Sequence, residues 1–205
     1  MGGYTVGELY DRFHEGLHTQ RAVAIKDVRN WIEEAQTEIA MLYGKVNTQV
    51  ATGVVANQAV ALGDDCLGIV EIRKKTGDYR PYQNYMVTTH GSVIFVDGGN
   101  YDIYYHKSPE PLSVSGGATE ANYRALELEV HNMFHLPIIN YLFYKYWDKN
   151  SEGEAGEKNY ADAYLGKFHQ EISGIATLLR GRANTTTKMA TGPKPTVAGP
   201  GAQYS

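Results

Sequence analysis

The side chains best placed to do chemistry are two histidine pairs, a carboxylate pair and one thiol. His131 and His135 stand four residues apart, the spacing that turns two imidazoles to one side of a helix and lets them hold the metal of a metal-dependent hydrolase. The intervening residues are Asn132, Met133 and Phe134, so the general-base glutamate of such a site is missing, and Pro137 follows at once. A helix-entry surface or a subunit contact is the reading this favours. His14 and His18 repeat the spacing, with no evident third ligand. Asp64-Asp65 follows Leu62-Gly63 and precedes an apolar run, the setting of a turn rather than of an acid–base pair. Cys66 is the only cysteine, so no intramolecular disulfide can form and cysteine-rich zinc sites are excluded. At the start of a strand, a lone cysteine reads as a small buried apolar residue. The Gly-x-x-x-x-Gly-Lys-Ser/Thr phosphate loop, the Gly-x-Gly-x-x-Gly dinucleotide fingerprint and the Gly-x-Ser-x-Gly nucleophile elbow do not occur. No catalytic residue, no metal ligand and no cofactor are therefore expected.

A second group of residues offers contact rather than catalysis. Arg73-Lys74-Lys75, with Arg80 near and Tyr79, Tyr82 and Tyr85 interleaved, has the composition of a nucleic-acid stacking surface. Three charges at the end of a hairpin also make a solvated tip or a contact with an acidic neighbour, and the tip is the reading adopted. Tyr141, Tyr144, Tyr146 and Trp147 read as helix core and inter-subunit packing rather than as a ligand cage.

Composition narrows the class. Of 205 residues, 42% are hydrophobic and 20% charged, an ordinary balance for one or two globular domains. No run nears the roughly 18 apolar residues of a membrane span, and the first residues lack the layout of a secretory leader, so neither membrane nor export is expected. The net charge of −4 argues against a protein whose main task is gripping nucleic-acid phosphates. Tyrosine occurs 16 times against 5 phenylalanines, an excess that suits protein–protein contact.

The elements that must position these groups read as α+β, with about four helices in a bundle, an embedded antiparallel β insertion and an extended C-terminal arm. Residues 5–18 form a first helix, opened by a Thr5/Glu8 capping box and striped by Val6, Leu9, Phe13 and Leu17. Residues 22–43 form a second, with Ile25, Val28, Ile32, Ala35, Ile39 and Leu42 on one face and Gly44 to end it. Residues 46–112 are β-rich. Within them 67–74 form a strand with Leu67, Ile69 and Ile72 buried and a turn at 76–78, and 92–96 with 101–106 form a hairpin around Asp97-Gly98-Gly99-Asn100. Pro109 and Pro111 stop the ladder. A loop at Gly116 and acidic residues 120–129 lead to a third helix, 136–147, apolar around much of its girth with Pro137 in its first turn, hence central in the bundle. A fourth helix, 157–179, carries Tyr160, Tyr164, Phe168, Ile172, Ile175 and Leu179. Residues 1–180 thus make one domain, with helices over 5–43 and 135–179. Residues 181–205, poor in large apolar side chains, make a flexible arm with three basic and no acidic residues, which leaves −7 on the rest.

This order of elements resembles the head-to-tail adaptor, or connector, proteins of tailed bacteriophages. The similarity covers roughly residues 5–175 and rests on "DDCLGIVEIRK", "YDIYYHKSPEPL", "FHLPIINYLFYKYWDKN" and "NYADAYLGKFHQEI". The family pattern Asp-x-Leu-x-Ile-x-x-Ile/Val is matched by Asp65, Leu67, Ile69 and Ile72, and Tyr-x-x-x-Pro by Tyr105 and Pro109. The resemblance implies a virion structural protein made in the host cytoplasm and placed at the head–tail junction. It implies a homo-oligomeric ring, typically of 12 copies, that joins the portal protein to tail or nozzle proteins around a DNA channel, without sequence-specific binding and without a membrane. On that reading Arg180, Arg182, Lys188 and Lys194 are candidates for portal contact. Arg73, Lys74, Lys75, Arg80, Tyr101 and Tyr104 are candidates for lateral or tail-side contact. Another neck or tail-tube component, mainly β, is the alternative within the same class.

Overall fold

The computed structural model describes residues 4–17, 23–75, 81–114, 117–151 and 155–190, which form a mixed α+β chain. Helix α1 (Val6–Leu17) opens as its sequence requires: Thr5 N–H donates to Glu8 Oε2 at 2.8 Å, and Glu8 N–H donates to Thr5 Oγ1 at 3.2 Å. Val6, Leu9, Phe13 and Leu17 are all buried. Helix α2 (Ile25–Tyr43) buries Val28, Ile32, Ala35 and Ile39, whereas Leu42, expected on the same stripe, is exposed. Three residues past Ile39 the face has turned away from the core, and Ala40 takes the buried place instead.

Six strands follow in two antiparallel sheets: β1 (Val46–Val54), β2 (Ala59–Ala61), β3 (Cys66–Lys74), β4 (Tyr85–Val87), β5 (Ser92–Phe95) and β6 (Gly99–Lys107). The orders are β1-β6-β3 and β2-β5-β4. The expected hairpin of 92–96 with 101–106 does not form. The Gly98-Gly99 bend is there, with Gly99 at φ +150°, but it carries the chain from one sheet to the other. The glycines locate a sharp turn without choosing partners, and the nine residues of β6 find longer ladders against β1 and β3 than four-residue β5 offers. Within β3 only Ile72 is fully buried, since bulges on either side of Ile69 break the alternation that would have taken Leu67 and Ile69 inside. The two sheets enclose a small core of Ala51, Val54, Ile72, Val93, Phe95, Tyr101 and Ile103.

After Lys107 the chain leaves the sheets through Pro109 and Pro111, sends Leu112 into the helical core and makes a short helix α3 (Glu120–Arg124). A 3-10 turn (Asn132–Phe134) then leads into α4 (His135–Asn150), where Pro137 sits in the first turn and Ile138, Ile139, Tyr141, Leu142, Phe143 and Tyr146 are buried. Helix α5 (Ala155–Ala190) packs along α4 through Ala161, Phe168, Ile172 and Ala176, while Tyr160 is exposed. It does not stop at 179. Thirty-six residues span about 54 Å, because nothing before Gly192-Pro193 forces a stop and each added residue gains a hydrogen bond. The first ten residues of the expected arm are therefore helical, and the rest of it lies outside the described residues, as do the 76–78 turn and Gly116. Among the described residues, no helix is long and apolar enough to cross a membrane.

Candidate functional site

The histidines are occupied with local structure. His131 Nδ1 accepts the Met133 N–H at 3.2 Å and so caps the 3-10 turn; His135 Nδ1 lies 2.8 Å from the Asn132 carbonyl, and its ring stacks on Tyr4 at 4.7 Å. His14 packs between Tyr10 and Phe13, and His18 lies outside the described residues. Among the described residues, no group of three or more His, Cys, Asp or Glu side chains stands close enough to hold a metal ion. Asp65 does the work of a turn: its carboxylate accepts the Tyr105 hydroxyl at 3.0 Å and its carbonyl accepts the Ser108 N–H at 2.7 Å. Burial pushes the Cys66 thiol up from its ordinary value, which keeps it protonated and a poor nucleophile.

The basic segment is neutralised from within the chain. Arg73 donates from Nε and Nη2 to the two carboxylate oxygens of Glu71 at 2.8 and 3.0 Å, and its guanidinium lies 5.1 Å from the centre of the Tyr104 ring. Lys75 pairs with Asp102 at 3.0 Å. Lys74 lies over the rings of Tyr82 and Tyr101, 3.8 Å from Asp97. A tip that supplies its own counter-charges does not call for an acidic neighbour. Tyr101 is no surface residue: it is 0% exposed, stacked on Phe95 at 4.0 Å, with its hydroxyl donating to the Asp97 carbonyl at 2.6 Å. Alternation explains this, since Tyr101, Ile103 and Tyr105 face inward while Asp102, Tyr104 and His106 face out. Arg80 and Lys194 lie outside the described residues; Arg180, Arg182 and Lys188 belong to the last part of α5, beyond Ala176, the last buried residue described on that helix.

Two surfaces were not singled out by residue type. One is an acidic strip on α2, where Glu33, Glu34 and Glu38 flank Tyr141 of α4. Lys145 answers Glu34 at 2.8 Å and Arg29 answers Glu33 at 3.3 Å. Burial, and then the charges of Glu38 and Glu34, drive the Tyr141 phenol far above its ordinary value, so it stays neutral. The other surface is the pair of sheet edges at β1 and β4, which lie in the longest stretches of sequence without a Lys, Arg, Asp or Glu, residues 46–63 and 81–96. Missing charge was the available signal, and a search for charged or reactive groups passes over it.

What these surfaces can do is bind other proteins: they offer apolar edge strands, paired charges and a long helix, and no cluster of reactive groups among the described residues. No curated protein matches the chain. The SU10 adaptor protein family matches residues 4–193, and so takes in every element described above. The chain belongs to the SU10 adaptor protein family, a family of phage head-to-tail adaptors.

Proposed function

We propose that the chain is a subunit of a homo-oligomeric ring at the neck of a phage virion, set between the portal protein and the tail or nozzle proteins, with the genome passing through its centre. The family match over residues 4–193 carries this reading. The family is structural, which points to assembly rather than to a reaction. Twelve copies is the expected number, and the acidic excess of the chain suits a channel wall that DNA slides past, because like charges repel. Portal contact falls to Arg180, Arg182, Lys188 and Lys194, at or beyond the end of α5. Tyr104, Arg73 and Lys75, on the outer side of the β1-β6-β3 sheet, are left for lateral or tail-side contact, together with Arg80 and with Lys74, which lies on the inner side over Tyr101; Tyr101 itself drops out because it is buried. Helix exceeds strand in the described chain, which favours an adaptor over a mainly β tail-tube component.

The test is to mix the chain with the portal protein of the same genome and to measure the mass and the negative-stain image of the product. A ring larger than the portal alone is expected. Deleting residues 181–205 is expected to weaken docking with the helical circular dichroism of the subunit nearly intact; normal docking by the truncated chain refutes the role of that segment.

A further inference from the structure

The two edges of the β1-β6-β3 sheet are unlike. Lys107 N–H donates to the Lys45 carbonyl at 2.9 Å, which fixes the odd-numbered residues of β1 as those that bond β6. The backbone N–H and C=O groups of Val46, Thr48 and Val50 therefore point to the free edge. Among them, Thr48 N–H is met by the neighbouring Asn47 side chain at 2.9 Å, a contact open to solvent. The strand holds no charged residue and no proline, and Val46 and Val50 are each more than half exposed. Charge, proline and bulges are the devices that keep an edge strand from pairing, and up to Val50 this edge has none of them. On the other side of the sheet, β3 has all of them: Glu71, Arg73 and Lys74, two bulges, and a strap in which Pro81 bridges Arg73 and Tyr82 N–H donates to the Ile72 carbonyl at 2.7 Å.

A complementary surface lies on that far side. Beyond the strap runs β4, in which Met86 and Val87, on alternate faces, are each more than half exposed. Asn84 and Thr88 bond β5, so Val87 turns its N–H and C=O outward and Tyr85 its C=O, the Tyr85 N–H being taken by the Gln83 carbonyl at 3.0 Å. Between β3 and β4 is an open groove of about 500 Å³ lined mainly by Val70, Ile72, Pro81, Tyr82, Tyr85 and Val87; Glu71, its one charged lining residue, has both carboxylate oxygens bonded by Arg73. Meanwhile β2 lies over β1, tied by Gln49 Nε2 to the Ala61 carbonyl at 2.7 Å, so the β1 edge and the β4 groove are on opposite flanks of the two-sheet unit. One chain thus carries an uncharged open edge on one flank and, on the other, a largely apolar groove beside a strand edge, its single carboxylate paired within the chain.

We infer that the β1 edge of one copy pairs with the β4 groove of the next, joining identical subunits side to side by strand addition. A heterologous contact between opposite flanks is the kind that closes into a ring, and main-chain pairing supplies affinity while Val46 and Val50 cover Val70 and Val87. The β1 edge has no charge and the one carboxylate of the groove is already matched by Arg73, so neither surface calls for a strongly acidic or basic partner, which fits a second copy. This rests on the oligomer proposed above and adds to it the strands that make it.

The experiment places a photo-crosslinker at position 50 of the full chain and mixes isotope-labelled with unlabelled protein, so that adducts between chains are recognised by mass. Adducts on residues 81–88 of another copy are the expected result. Adducts on residues 46–54 of another copy, or an intact ring with no adduct between chains, overturn the inference and leave the oligomer standing. In parallel, Thr48→Pro, which removes an N–H the β6 ladder does not use, and Val50→Lys are each expected to drop the assembly to single chains with an unchanged circular dichroism spectrum. Full-size rings from both variants overturn the pairing. A wild-type chain that stays monomeric, alone and with portal protein, removes the oligomer and this inference together.

Discussion

The helical half of the chain and its two-sheet half are stabilised by different means. Helices α1, α2, α4 and α5, with Leu112, Leu128 and Phe134, contribute twenty buried apolar residues among those described, and Phe13 alone meets the rings of Trp31, Phe143 and Tyr146. The sheets share seven, held around one stacked pair, Phe95 on Tyr101. Exposed apolar residues divide the other way: of twelve large ones among the described residues, Val46, Val50, Val55, Val70, Met86, Val87 and Val96 belong to the two-sheet region. Helices use their apolar stripes against one another inside the chain, whereas short sheets with free edges leave theirs at the rim. The two-sheet half is accordingly the one that gains most from a neighbour.

This contrast can be broken. Phe13→Ala is expected to cost about 3–5 kcal/mol and to lower the melting temperature of the whole chain, because the ring sits where α1, α2 and α4 meet. A loss confined to part of the helical signal would show that the helical half is not one cooperative unit. Phe95→Ala, with fewer neighbours to collapse into the gap, is expected to cost about 3 kcal/mol, and hydrogen exchange should show β1, β3 and β6 opening while α4 stays protected. Simultaneous loss of α4 protection would make the two halves one unit.

The link between them has a smaller effect. Glu129 N–H donates to Gln36 Oε1 at 2.9 Å, and Glu129 Oε2 accepts the Glu110 N–H at 2.9 Å, so Gln36 anchors the chain leaving the sheets to α2. Gln36→Ala leaves a part-buried N–H unpaired and should cost about 1–3 kcal/mol, seen as a lower denaturation midpoint; an unchanged midpoint would mean that another contact carries the link.

The smallest effect is on pH dependence. The folded state holds the Tyr141 phenol protonated well above the ordinary tyrosine value, so its contribution is complete below the unfolded value near ~10 and is lost as pH rises beyond it. Tyr141→Phe should flatten the alkaline limb of the stability curve and leave the neutral region little changed. An equally steep alkaline limb assigns that loss to other groups.

Much of the helical half was legible in the sequence because its signals are local. The Thr5/Glu8 box, the three-and-four spacing of Leu9, Phe13 and Leu17, and Pro137 ahead of Ile138 each act within one or two turns of the residues they order. The end of α5 was misplaced because a run of Thr, Asn and Gly weakens a helix without stopping one. Of the residues read as candidate contacts, Tyr104 does face outward, and Tyr101 does not because its place on β6 decides which face it takes.

By itself, the sequence determined where the helices begin, that strands occupy the middle of the chain, that glycines bend it at 98–99, and the family to which it belongs. Only the tertiary structure decided which strands pair. The chain between β5 and β6 is short enough for a hairpin, yet β6 bonds β1 and β3, both from the earlier part of the insertion. Pairing partners are chosen by the length of ladder gained and by which face is buried, quantities that exist only once distant segments meet. The same holds for the counter-charges of Arg73 and Lys75 and for the two open edges. A charge or an unpaired N–H is free or satisfied only with respect to whatever the fold has brought beside it.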